Sequence, residues 1–276
     1  TKDGPDSATF IKTADGELVQ LELPTQEGLA ELHGMYKEEN ISDEFIDYGQ
    51  RRFLFSMNAG DYAEPMTYNA RGGREEFQTL QMELASGPFE EFNGSTHFEV
   101  LGKGRQGTVL VSPDKESNVP IVRTTTKYLS PAQKFQRSHR DLAEQIQRRA
   151  ALPTPFNNAL GEIYDHQYTR MGFHSDQAQD LLDGSYIALF SCYKHSDQAH
   201  NRKLVVEPKD GNPDGEKFEI ELVQNSVVLF SLDTNRRFRH KIVLDHNKGN
   251  PESQEWLGLT FRTSKTFVSF DDKEKA

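Results

Sequence analysis

The apolar residues in the second half of the chain come in short runs divided by polar turns, a pattern that predicts strands. Seven are expected, over 159–165, 185–193, 203–207, 218–222, 226–232, 241–245 and 257–263. Turn sequences such as Asp210-Gly211-Asn212-Pro213 separate them. Seven short strands in succession predict a two-sheet sandwich or jelly roll.

Upstream the pattern is mixed. Ala8–Ile11 and Glu17–Leu23 flank Asp15-Gly16 as a hairpin, and a helix is expected from Thr25 to Lys37. Arg71-Gly72-Gly73-Arg74 reads as a loop, after which Phe77, Leu80 and Leu84 fall at helical spacing between Glu75 and Ala85, up to Gly87-Pro88. Ser130-Pro131 offers a capping hydroxyl and a proline for the first helical position, and Gln133 completes a capping box. Phe135, Leu142 and Ile146 then share one face, with Lys134, Arg137, Arg140, Arg148 and Arg149 on the other. The expected fold is mainly β with flanking helices (α+β): an N-terminal α/β extension over 1–90, then a domain over 91–276 with a jelly-roll core from about 156 to 270.

Among 276 residues, 18 Phe and 9 Tyr supply a sizeable β-rich core. No apolar run approaches the roughly 20 residues that cross a bilayer, so no membrane partner is expected. Thr1-Lys2-Asp3-Gly4-Pro5 lacks the order of a secretory signal. Cys192 stands alone, which excludes an intrachain disulfide or a cysteine-based zinc site. Together these predict a cytoplasmic or other reducing compartment. A formal charge of −11 weighs against broad binding to phosphate backbones, which depends on many basic contacts.

The pentapeptide HSDQA occurs twice, at His174–Ala178 and His195–Ala199. His-x-Asp supplies two donors of the 2-His-1-carboxylate face that non-haem iron oxygenases use, and a distant histidine must supply the third. His240, after the apolar run Val227–Phe230 and just ahead of the strand Ile242-Val243-Leu244, is the better candidate; His246 lies in a polar loop. In a double-stranded β-helix such a His-x-Asp follows an early core strand, and the second histidine heads the penultimate one. Four expected strands separate His174 from His240, as a paired roll requires, but only three follow His195. His174, Asp176 and His240 are therefore the expected metal ligands, and His195-Ser196-Asp197 is expected to be a polar turn. Arg262, on the last strand near Thr260 and Thr263, offers a planar fork for a carboxylate, in this setting the distal carboxylate of 2-oxoglutarate.

Over about 156–270 the chain resembles the AlkB-like branch of the Fe(II)/2-oxoglutarate dioxygenases. The resemblance rests on Ala159–Tyr164, Met171–Asp176, Phe238-Arg239-His240 and Leu259-Thr260-Phe261-Arg262. It implies Fe(II), 2-oxoglutarate as co-substrate and O2, with release of succinate and CO2. It also implies a tyrosine touching 2-oxoglutarate, Tyr164 or its rival Tyr168, while Thr260 and Arg262 match the last-strand motif. Three positions depart from the family pattern: Trp256 stands where it has an arginine, Gly258 where it has an asparagine, and Glu162 where it has a second asparagine. These losses argue against nucleic-acid repair.

The expected activity is hydroxylation, or a related C–H oxidation, of a small molecule, with residues 60–130 as a lid. Oxidative demethylation of alkylated nucleic acid is the alternative, supported by Arg170, Arg236, Arg237, Arg239 and Lys241 near the metal. The same basic residues, notably Arg170 and Arg239, suit an anionic metabolite. Arg123, in an expected strand over 121–128, is placed to meet an anionic substrate group. A non-catalytic binder on a jelly-roll frame is disfavoured because ligands and carboxylate-binding arginine occur together.

Overall fold

The computed structural model describes residues 9–12, 18–21, 45–48, 51–54, 73–84, 87–169, 171–209, 216–248 and 254–269. The chain divides into two units, Thr1–Ala70 and Arg71–Ala276. In the first, β1 (Thr9–Lys12) pairs antiparallel with β2 (Leu18–Leu21), the expected hairpin, and β3 (Phe45–Tyr48) pairs with β4 (Arg51–Leu54). The helix expected at 25–37 lies outside the described residues.

The second unit contains β5 (Gln78–Gln81), α1 (Pro88–Ser95), β6 (Glu99–Gly102), β7 (Arg105–Val111), β8 (Val119–Pro120), β9 (Gln133–Lys134) and α2 (Arg137–Arg149). Then follow β10 (Asn158–Tyr164), β11 (Tyr186–Tyr193), β12 (Arg202–Pro208), β13 (Phe218–Glu221), β14 (Ser226–Ser231), α3 (Leu232–Arg237), β15 (Phe238–Leu244), β16 (Trp256–Arg262) and β17 (Phe267–Val268). The larger sheet runs β5-β14-β11-β16-β10-β7-β6, with β9 beside β7; the smaller runs β13-β12-β15. A bridge between His174 and His240 extends the smaller sheet by one more position. From β10 through the His174 segment to β16, eight successive positions are thus shared between two antiparallel sheets, four in each. This is a jelly-roll core, a double-stranded β-helix.

Alternation along the strands builds two apolar layers. Leu189, Leu204, Val206, Val228, Phe230 and Ile242 fill the space between the sheets. On the other face of the larger sheet, Ala188, Phe190, Leu259 and Phe261 pack against Leu142 and Ile146 of α2 and Phe89 and Phe92 of α1. Trp256 stacks on Tyr164 at 4.9 Å, and its indole covers Gly258: a Cβ at 258 would lie 2.1 Å from the ring. The tryptophan and the glycine are one packing unit.

Four expectations fail. Where a helix is expected over 75–85, Arg74–Glu76 form a 3-10 turn and Gln78–Gln81 form β5, and residue 85 lies outside the described residues. β5 satisfies the open edge of β14, and alternation sends Phe77 between the sheets, against Phe218, Phe230 and Phe238, while Met82 enters the outer layer. Helical spacing would place Phe77 and Leu80 on one face. Ser130-Pro131 does not start α2. Leu129 and Ser130 donate their backbone N–H groups to Glu99, β9 pairs with β7, and the helix begins after Gln136, whose N–H donates to His139 Nδ1 at 3.0 Å. Residues 121–128 form an irregular segment, not a strand. His240 is the third residue of β15 rather than a residue ahead of it, because pairing with β12 begins at Phe238.

Candidate metal centre

β10 and β16 run antiparallel with Asn158 opposite Arg262 and Tyr164 opposite Trp256, which defines two ends of the roll. His174, Asp176 and His240 meet at the Arg262 end. One ligand atom from each lies within 4.8 Å of the others, and His240 Nε2 stands 3.7 Å from Asp176 Oδ1. The backbone imposes this meeting: His174 N–H donates to His240 C=O at 3.0 Å, and His240 N–H donates to His174 C=O at 2.7 Å. Asn235 of α3 fixes the next residues. Its Oδ1 accepts from Asp176 N–H and its Nδ2 donates to Asp176 C=O, both at 2.9 Å, while Ser175 Oγ donates to Phe238 C=O.

The electrostatics suit a cation. Burial pushes the Asp176 carboxyl up, but Arg262, then His240 and His174, outweigh it and hold the group below its ordinary value. Arg262 Nε donates to Asp176 Oδ2 at 2.7 Å and Nη2 forms an ion pair with the same oxygen at 2.7 Å, with side chains 7% and 6% exposed. Burial lowers His240 to about 4, leaving the neutral imidazole that can ligate. His174 Nδ1 faces the Gly172 carbonyl at 3.1 Å; a carbonyl only accepts, so Nδ1 carries the proton and Nε2 is the free donor atom. One carboxylate and two imidazoles form the donor set of a divalent transition metal with positions left open.

The cluster opens into a cavity of about 340 Å³. Thr260, Arg262, Leu160, Glu162, Tyr168 and Arg105 line it inside, and Phe173 and Arg123–Thr126 line its mouth. Tyr164 is fully buried and donates its hydroxyl to Glu162 Oε2 at 2.5 Å; Tyr168, its rival, forms the cavity wall. Arg105 Nε donates to Glu162 Oε1 at 2.9 Å. Sequence reasoning passed over Arg105 and Asn235. The run Thr108-Val109-Leu110-Val111 signals the strand that carries Arg105, but nothing local signals that it lies beside β10.

Arg123 lines the mouth, with Nε 2.6 Å from Asp180 Oδ2 and the side chain 46% exposed. Arg239 pairs with Glu207 at 2.7 Å, and Arg239, Lys217 and Lys241 surround the Phe173 ring at 5.6, 5.5 and 4.4 Å. Arg236 pairs with Asp233 and Asp183, and Arg237 with Glu76. Arg170 lies outside the described residues. The second HSDQA turns between β11 and β12, past Tyr193 and therefore at the opposite end of the roll; His195 N–H donates to Gln254 Oε1.

No family model and no curated protein matches the chain. Among solved structures it is similar to one described as OsALKBH1, at 16% identity and a TM-score of 0.37, over 60% of this chain and 81% of that one. It is likewise similar to a Pseudomonas putida prolyl-4-hydroxylase, at 16% identity and a TM-score of 0.38, over 68% and 92%. Likeness at this level assigns neither chemistry nor substrate. Among the described residues no helix is long and apolar enough to cross a membrane.

Proposed function

We propose that this chain is an Fe(II)- and 2-oxoglutarate-dependent dioxygenase that oxidises a C–H bond of a small molecule. The observation that carries the reading is the convergence of His174, Asp176 and His240 beside a cavity whose lining includes polar and cationic side chains. Fe(II) with 2-oxoglutarate and O2 supplies the oxidation, with succinate and CO2 as by-products.

The chain's own residues bind, orient and exclude. His174, Asp176 and His240 hold the metal; Arg262 fixes the Asp176 carboxylate, and Asn235 its backbone. Arg262 at the metal end, Arg105 further along the roll and the hydroxyls of Thr126 and Thr260 suit a ligand with two carboxylates. Leu189, Leu204, Phe230 and Ile242 form the apolar part of the lining and limit water. Arg123, beside the mouth with half its side chain exposed, is placed to meet an anionic substrate group.

Oxidative demethylation of alkylated nucleic acid is a second reading, favoured by the cations around Phe173 next to His174. It predicts oligonucleotide binding that falls steeply with salt.

The test is anaerobic addition of 2-oxoglutarate to Fe(II)-loaded wild type, His174→Ala and His195→Ala, following the visible charge-transfer absorption of the chelate. The band is expected in wild type and His195→Ala and not in His174→Ala. A band lost only in His195→Ala would move the metal to the other copy, and no band in wild type would remove the reading.

A further inference from the structure

Two partly or fully buried arginines line the cavity at different levels along β10. Arg262 sits on the level of Asn158, at the metal end, donates from Nε to Asp176 and forms an ion pair with it through Nη2. Withdrawing it towards another anion would leave a buried carboxylate without its counter-charge. Arg105 comes from β7, outside the eight core positions, and bonds Glu162, four residues further along β10 than Asn158. Its Nε and Nη2 both reach Glu162 Oε1, and Nη2 also donates to Thr126 Oγ1 at 3.1 Å. Nη1 makes no hydrogen bond among the described residues. Burial works against the guanidinium charge, but Glu162, with Tyr164 and Tyr168, outweighs it and holds the group above its ordinary value. Tyr164 donates to the other Glu162 oxygen, so Glu162 keeps a partner whatever Arg105 binds besides it. The hydroxyl of Tyr128, buried without a hydrogen-bond partner among the described residues, interacts electrostatically with Glu162 and both arginines, an unused donor in the same region.

We propose that Arg105 binds the far carboxylate of the dicarboxylic keto acid, and that Glu162 is the positioning residue that aims it. This rests on the keto-acid-dependent reading above. A dicarboxylic keto acid held at the His174 cluster by its keto-acid end would carry a second carboxylate at the other end of its chain; Arg262 is committed to Asp176, and Arg105 lines the same cavity further along the roll from that cluster. Arg123 is the wrong candidate: it stands on the solvent side, paired with Asp180. Glu162, at the position where the sequence departs from an asparagine pattern, thereby acquires a purpose: it keeps a guanidinium from a neighbouring strand inside the cavity.

The experiment is calorimetric titration of Mn(II)-loaded protein with 2-oxoglutarate and with 2-oxopentanoate, the same keto acid ending in a methyl group. Wild type should prefer 2-oxoglutarate by about 10- to 150-fold, the range for a hydrogen bond to a charged group. In Arg105→Met that preference should fall to near one while the affinity for 2-oxopentanoate stays within about threefold. The double variant Arg105→Met/Glu162→Gln, which strands no buried carboxylate, repeats the measurement if the single variant does not fold. A preference that survives in the folded variant, or that disappears in Arg123→Met instead, overturns the assignment to Arg105. Wild type binding both keto acids equally shows that no far-carboxylate anchor exists. Wild type binding neither removes the keto-acid reading itself, a result distinct from the others.

Discussion

Replacing Arg262 with methionine isolates the energetics of the centre without any metal. Asp176 is 6% exposed and loses one charge-assisted hydrogen bond and one ion-pair contact, each of 2.7 Å, while burial, the largest influence on its carboxyl, is left opposed by the two imidazoles. Breaking one side of a buried ion pair costs about 3–5 kcal/mol. For a unit spanning Arg71–Ala276, each kcal/mol moves Tm by roughly 2–4 °C, so the metal-free variant should melt about 6–20 °C below wild type. Arg262→Met/Asp176→Asn removes the stranded charge and should recover most of this loss. Scanning calorimetry in the presence of a chelator measures all corners of the cycle, with Asp176→Asn alone as the fourth. A Tm loss under about 2 °C, or a coupling under about 0.5 kcal/mol, would refute the view that Arg262 is chiefly the counter-charge of Asp176.

Two further outcomes follow from the packing. Burial, then Arg140, lowers His139 to about 4, and its neutral Nδ1 accepts from the Gln136 N–H that opens α2. The unfolded chain takes up this proton below about 6.5 and the folded chain only near 4, so stability present above 6.5 falls by roughly 3 kcal/mol as pH drops through that window. Urea denaturation at pH 7.5 and 5 should show the loss in wild type and a flatter profile in His139→Gln. Gly258→Ala places a Cβ 2.1 Å from the Trp256 ring and should cost about 1–3 kcal/mol. Because Trp256 is the sole tryptophan, its emission should shift as the ring leaves Tyr164, and an unchanged spectrum with unchanged stability would contradict the packing unit.

The seven core strands were legible because alternation and turn chemistry are local signals, and all seven appear with ends shifted by at most three residues. The larger errors arose where tertiary pairing overrode a local pattern. Phe77 and Leu80 suit a helix until the bare edge of β14 offers hydrogen bonds, and Ser130-Pro131 suits a helix start until Glu99 takes the backbone donors. Strand order brought His174, Asp176 and His240 forward as one group, since counting strands places residues at an end of a roll. Arg105 and Asn235 escaped because their relevance comes from register: Arg105 stands opposite Tyr164 across β7 and β10, and Asn235 reaches Asp176 across 59 residues. The Asp176–Arg262 pair was hidden for the same reason, although both members were singled out.

The centre straddles the two sheets. His174 and His240 belong to the ladder of the smaller one, whereas Asp176 is tethered through Arg262 to β16 of the larger. At the opposite end the closure is permanent: Tyr164 stacks on Trp256, and Arg202 donates to the carbonyls of Asp165 and Tyr168. One end of the roll is therefore welded and the other is clasped by the groups that bind the metal. A bound ion would act as a rivet at that clasp, so its occupancy should be felt as breathing of the mouth, with amides around His174 and His240 exchanging faster when it leaves and those around Tyr164 unaffected.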